Sequence, residues 1–268
     1  MTAEPARTSS SSEPAAGHDR VTVDGDVVHR PAYPWTPSVH AVLAHLRARG
    51  LDCVPEPLGI ADGVETLSFL DGEAGPACWP HQATERGLRS AARLLRRIHD
   101  ASRGWTPPDA QWGIPPQPGA EVICHGDPGP WNMVWRDGEA VGIFDWDFAH
   151  PAPAMNDVAY ALEYVTPFRG DQEALRWLGF TRPPRRARRM ALFVEAYGGI
   201  SSPLPQLVDA VIRHQVAVIQ VDRDLAVRGI EPQRTWVADG HLETLQGHVD
   251  WSRAHREQLL ADPPTRRG

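Results

Sequence analysis

Apolar and polar positions alternate near the start of the chain. Val21-Thr22-Val23 and Val27-Val28-His29-Arg30 flank Asp24-Gly25, which predicts two strands joined by a hairpin turn. From Pro37 to Gly50 the period lengthens. Val39, Val42, Leu43 and Leu46 fall on one helical face, and Gly50 closes the helix. Two further short strands are predicted near Glu56–Ile60 and Glu65–Leu70, joined across Asp62-Gly63. Asp71-Gly72-Glu73-Ala74-Gly75-Pro76 has the small residues of a linker. Residues 19–75 therefore read as a small β lobe with one helix.

Beyond this linker the helical period dominates, and residues 76–262 read as a second, mostly helical lobe. Leu88, Ala91, Leu94, Leu95 and Ile98 mark a helix over Thr84–Ala101. A Pro-rich loop over Trp105–Pro118 leads to three short strands, Val122–Cys124, Met133–Trp135 and Val141–Phe144. Helices are then predicted over Asn156–Tyr164, Gln172–Leu178, Arg185–Tyr197, Leu204–Arg228 and Thr235–Leu260. Strands first and helices after, without βαβ alternation, define an α+β class. Residues 1–18, rich in Ser, Pro and Ala, and residues 263–268 read as disordered tails.

Composition narrows the functional range. A net charge of −7 argues against a nucleic-acid or anionic-membrane partner. No run of about 18 apolar residues suggests a membrane span or a leader. Cys53, Cys78 and Cys124 are scattered and odd in number, so neither a disulfide framework nor a metal-site spacing is expected, and the setting reads as reducing cytoplasm. Nothing bears on oligomeric state. Lysine is absent, and all 27 basic residues are arginine.

The chemistry is concentrated between Ile123 and Asp147. Asp127 follows His125-Gly126, Asn132 comes five residues later, and Asp145 ends the apolar run Val141-Gly142-Ile143-Phe144. Carboxylates and a carboxamide at the ends of buried strands need a partner. Mg²⁺ takes such hard oxygens and leaves positions for phosphates and water. Phosphoryl transfer needs a carboxylate beside the acceptor hydroxyl and oxygen ligands for metals that neutralise phosphate charge.

His-Gly-Asp, four residues, Asn, a short hairpin and then apolar-apolar-Asp-Trp-Asp resemble the aminoglycoside phosphotransferase/choline kinase family. The resemblance implies a two-lobed protein-kinase-like fold with a reduced N-terminal β lobe. It implies a magnesium-dependent phosphotransferase that uses ATP or GTP on a hydroxyl of a small molecule; antibiotic inactivation is one family activity. By the same resemblance Asp127 is the catalytic base, Asn132 and Asp145 are metal ligands, and His125 braces the catalytic loop. Asp157 caps the following helix and binds the loop amides, His99 is structural, and Asp147 has a supporting place beside the metal. The family's strand lysine, which contacts nucleotide phosphates, has no counterpart here. Arg30 takes its place in this reading and offers a bidentate fork. The glutamate usual on the next helix is missing from Ser38-Val39-His40-Ala41, and no Gly-rich phosphate loop is present. These departures motivate an alternative, a non-catalytic binding or immunity protein on the same fold.

Other features read more plainly. His241, His248 and His255, seven residues apart, suggest a solvated helix face, because a metal site needs ligands at closer helical spacing. Arg182, Arg185, Arg186, Arg188 and Arg189 read as an exposed helix start. Glu163, Asp171, Glu173 and Glu195 are candidates to receive a cationic acceptor. Trp131 is a candidate contact for substrate or nucleotide.

Overall fold

The structure, a computed structural model, describes residues 21–261. Both predicted tails lie outside the described residues. The small lobe contains β1 (Thr22–Asp24), β2 (Val27–Pro31), α1 (Thr36–Ala48), β3 (Pro57–Ala61) and β4 (Val64–Ser68). The four strands form one antiparallel sheet in the order β1-β2-β4-β3. Asp62 and Gly63 both adopt positive φ, 51° and 75°, as a tight hairpin turn requires. Register sets Arg30 opposite Glu65 and Val28 opposite Leu67, so these four side chains share one face of the sheet. Pro37 lies in the first turn of α1, where a missing N–H costs nothing, and the predicted stripe of Val39, Val42, Leu43 and Leu46 is buried.

The second lobe begins with α2 (Trp79–Ala83) and α3 (Glu85–Ser102), whose Thr84 cap accepts the Gly87 amide. Next come β5 (Val122–Cys124), β6 (Met133–Arg136), β7 (Glu139–Ile143) and β8 (His150–Ala152). β5 pairs with β8 and β6 with β7, both antiparallel. The remaining helices are α4 (Met155–Val165), α5 (Asp171–Trp177), α6 (Arg186–Tyr197), α7 (Leu204–Val227), α8 (Gln233–Ala238), α9 (His241–Ala254) and α10 (Arg256–Leu260).

One apolar core joins the lobes: Leu46 and Val54 pack with Leu94, Ile98, Ile123, Trp135, Ile143 and Trp146. The linker is tied in as well. Glu73 and Trp135 exchange both backbone hydrogen bonds, at 2.8 and 2.7 Å. A second core, of Leu88, Leu95, Leu162, Phe168, Phe193 and Val211, holds the helices together.

Three expectations need correction. The helix predicted over Thr235–Leu260 is three helices, broken at Gly240, whose φ of 87° cannot continue a helix, and again at His255. The histidine series is not a solvated face. His248 binds Glu173 at 3.0 Å, His241 approaches Asp222 at 3.5 Å, and His255 stacks on Trp251. The arginine run is not simply exposed: Arg186 and Arg189 are buried. Arg189 donates to the carbonyls of Val165, Ala83 and Gln82, at the ends of α4 and α2, where helical carbonyls lack intrahelical donors.

Candidate active site

The loop after β5 is held from beneath by Asp157, a fully buried residue in the first turn of α4. Its carboxylate accepts the His125 amide at 2.7 Å and the Gly126 amide at 3.0 Å. It also meets His99 Nε2 at 3.1 Å, while His99 Nδ1 lies 2.7 Å from the Tyr197 hydroxyl. Burial pushes the Asp157 carboxyl up, but the His99 hydrogen bond, the neighbouring imidazoles and the loop amide hold it below its ordinary value. Asp157 thus binds the loop amides. It does not cap α4, whose N-cap is Ala154 without a side-chain bond.

Glycine is required at 126. Its φ is 86°, and a Cβ there would lie 2.1 Å from the Phe148 carbonyl oxygen. His125 is fully buried. Its Nδ1 accepts the Asp127 amide at 3.2 Å, which leaves Nε2 to donate to the Phe144 carbonyl at 2.9 Å. Burial lowers its pKa, in keeping with a neutral ring that ties the loop to the end of β7.

Asp127 has two unlike oxygens. Oδ2 accepts from Asn132 Nδ2 at 2.9 Å and from Trp131 Nε1 at 3.2 Å. Oδ1 is enclosed and accepts no well-formed hydrogen bond, although the Tyr160 hydroxyl lies near enough to the carboxylate to favour its charged form. Burial raises this carboxyl from its ordinary value to about 7, against the polar hydrogens of Tyr160, Trp131 and Asn132 and with help from the Asp145 charge. Asn132 also donates to the Asp127 carbonyl at 3.0 Å, so its NH₂ is committed and its oxygen is the remaining polar atom. Trp131, Tyr160 and Tyr164 form an aromatic wall beside Asp127, with Trp131 edge-on to Tyr164 at 4.6 Å.

On the other side of the site lies Arg30. Its Nε donates to Glu65 Oε1 at 2.6 Å, Nη1 to Asp145 Oδ1 at 2.7 Å and Nη2 to Asp147 Oδ1 at 2.8 Å. Glu65 is fully buried and also meets His40 Nε2 at 3.0 Å. Asp145 has a φ of 64°, in the left-handed region that aspartate tolerates better than most residues with a Cβ. Three carboxyls share one guanidinium, and burial together with the Asp145 and Glu65 charges pushes the Asp147 carboxyl up despite Arg30.

A divalent cation suits this donor set. The carboxamide oxygen of Asn132, whose NH₂ is already committed, and the carboxylate of Asp145 are hard oxygens, and negative charge is in excess around Arg30.

The structure therefore brings together Asp127, Asn132, Asp145, Asp147, His125, Asp157 and Arg30. It adds Glu65, His40 and Tyr160, which sequence reasoning missed. A signal for Glu65 existed: Glu65 and Leu67 are alternate strand positions that point to one face, which makes the glutamate an inward-facing charge. The acidic residues offered for a cationic acceptor are already engaged. Glu163 and Glu173 pair with Arg169, Asp171 with Arg186, and Glu195 with Arg89.

The architecture has solved counterparts. A choline/ethanolamine kinase family protein from Mesorhizobium loti superposes with a TM-score of 0.53 at 14% identity, over 87% of this chain and 89% of that one. A spectinomycin phosphotransferase in complex with ADP and spectinomycin gives 0.53 at 14% identity, over 91% and 92%. The model of the phosphotransferase enzyme family matches residues 109–193, which include the whole stretch from His125 to Asp147. The chain belongs to the aminoglycoside phosphotransferase/choline kinase family and has its protein-kinase-like fold. A nearer relative in sequence is the trifolitoxin immunity protein of Rhizobium leguminosarum bv. trifolii, 34% identical over 257 residues, covering 91% of this chain and 95% of that protein.

Proposed function

We propose that this protein transfers the γ-phosphoryl group of a magnesium–nucleotide, ATP or GTP, to a hydroxyl of a small molecule. The observation that carries the reading is the asymmetry of Asp127. One oxygen is fixed by Asn132 and Trp131, and the other is enclosed and accepts no well-formed hydrogen bond. Oδ1 is then the atom that receives the acceptor's proton as the acceptor oxygen bonds to phosphorus and the bond to the nucleoside diphosphate breaks. Asn132 and Asp145 would hold magnesium, with Asp147 beside them; bound there, the metal would neutralise phosphate charge. His125 and Asp157 keep the loop in place, and Arg30 would contact phosphate.

An apolar shelf supports the nucleotide. Val23 lies on the same sheet face as Arg30 and is 57% exposed, while Val28 and Leu67 beside it pack on the core, so Val23 is the apolar surface this face offers to a base. The wall of Trp131, Tyr160 and Tyr164 suits an acceptor with an apolar face. No helix among the described residues is long and apolar enough to cross a membrane. The described cysteines are free and buried, which fits work in a reducing cytoplasm.

A second reading has its own support. Arg30 engages both Asp145 and Asp147, and the relative at 34% identity is an immunity protein. In that reading the chain binds a ligand without transferring phosphate. Titration with ATP and GTP, with and without Mg²⁺, separates the two. Metal-dependent binding that Asp145→Asn weakens, with transfer lost and binding kept in Asp127→Asn, is expected for the enzyme. Absence of nucleotide binding would sink it and favour the second reading.

A further inference from the structure

Arg30 uses all three of its nitrogens in directed ion pairs, and they divide into two groups. Nε is bound to Glu65, its cross-strand neighbour in the register of β2 and β4. Glu65 is fully buried, and its other oxygen is taken by His40 of α1. This end of the guanidinium is anchored in the small lobe. Nη1 and Nη2 reach across to Asp145 and Asp147, carboxylates more than a hundred residues away in the other lobe. Asp145 has a side chain 43% exposed, whereas Glu65 is closed from solvent. One end is built to stay and the other to be exchanged.

Charge points the same way. Two carboxylates shared with a single guanidinium that also serves Glu65 leave an excess of negative charge. An arginine fork can hold this arrangement, with three directed N–H groups in a plane; a lysine ammonium could not span it.

We infer that Arg30 is the resident counter-cation of Asp145 and Asp147, positioned by Glu65 and His40, and that a divalent cation enters the site by exchange with it. The inference rests on the phosphotransferase reading for the role of Asp145. The cation takes the carboxylates that Nη1 and Nη2 release. Arg30, still anchored through Nε, turns its freed N–H groups to the nucleotide phosphates. Metal and nucleotide therefore bind as coupled events. Metal alone must displace Arg30 with nothing to receive it, whereas the metal–nucleotide supplies phosphate oxygens to the released fork. Linkage makes this coupling reciprocal.

The test measures Mn²⁺ binding to the full chain by electron paramagnetic resonance, alone and with a non-hydrolysable ATP analogue. The wild type is expected to bind Mn²⁺ alone weakly and at least tenfold more tightly with the analogue. Arg30→Met, which keeps length and removes charge, is expected to bind Mn²⁺ alone at least tenfold more tightly than the wild type and to lose most of the coupling. Arg30→Lys, with one compact ammonium, should fall between them, and it serves if the Met variant does not fold. The tight binding should vanish in the double variant with Asp145→Asn. If a folded Arg30→Met or Arg30→Lys binds Mn²⁺ no more tightly than the wild type, while Asp145→Asn still weakens Mn²⁺–analogue binding, the exchange is overturned and the phosphotransferase reading stands. If no variant binds Mn²⁺ or the analogue, both are overturned.

Discussion

Asp157 and Asp145 border the same site, yet their surroundings have little in common. Asp157 is closed from solvent and surrounded by donors that cannot leave: two backbone amides and the ring of His99. Asp145 is partly exposed, sits at positive φ and shares the Arg30 guanidinium with Asp147 and Glu65. Fixed dipoles balance the first carboxylate within the fold. The second depends on a counter-charge that can be traded. The loop side of the site is built for constant geometry, and the Arg30 side for changing partners.

The most damaging way to probe this contrast is Asp157→Ala. It would leave the His125 and Gly126 amides and His99 without their acceptor in the core. Removing one member of a buried charged network costs about 3–5 kcal/mol. Urea unfolding should record a loss of that order, with transfer abolished. Asp157→Asn, which can still accept a hydrogen bond through its carbonyl, should lose less. A loss below about 1 kcal/mol for the alanine variant would mean that the loop is held elsewhere.

Asp127→Asn should sharpen the comparison from the opposite direction, removing activity while stabilising the fold. The folded-state carboxyl is raised to about 7 from its ordinary 3.8. Its favourable contribution is therefore present below about pH 4 and is lost as pH rises through about 7; at higher pH the enclosed charge burdens the native state. Asn has no such charge. In metal-free buffer the melting temperature of Asp127→Asn should exceed that of the wild type by more at pH 8 than at pH 5. An equal difference at both pH values would contradict the enclosed Oδ1 as the source.

The contrast also explains what the sequence disclosed. The loop lay open to reading because Asp127, Asn132 and Asp145 stand within one short segment, bounded by strands whose apolar runs are plain. Asp157 came with them through the family resemblance, which its place at the start of a predicted helix supported. Its role as a helix cap was an error of local reasoning, because the amides it serves belong to the loop. Glu65 was overlooked for a different reason. Its partner is set by the register of β2 on β4, and the two strands are separated by α1 and β3. Arg186 and Arg189 illustrate the same limit. A run of arginines beside Pro183-Pro184 reads as solvated until folding brings in the carbonyl ends of other segments. β8 went unpredicted because His150-Pro151-Ala152 has no alternation, and only β5 makes it a strand. Gly240 was readable as a helix breaker but lay inside a long helical period.

The smallest effect expected is also the most specific to the Asp127 oxygens. Trp131 Nε1 donates to Oδ2 at 3.2 Å, a long bond to the atom that Asn132 already holds at 2.9 Å. Trp131→Phe removes that donor and keeps an aromatic face toward Tyr164. Losing a donor disfavours the ionised carboxylate, so the Asp127 pKa should rise. A weak charge-assisted bond contributes on the order of 1 kcal/mol, equivalent to somewhat less than one pH unit. The rising limb of the rate against pH should therefore move to higher pH by about half a unit to one. Above that limb, turnover should match the wild type within about twofold, because Oδ1 is untouched. An unmoved limb with reduced turnover at every pH would instead make Trp131 a contact for the acceptor, and would put the aromatic wall in the substrate site.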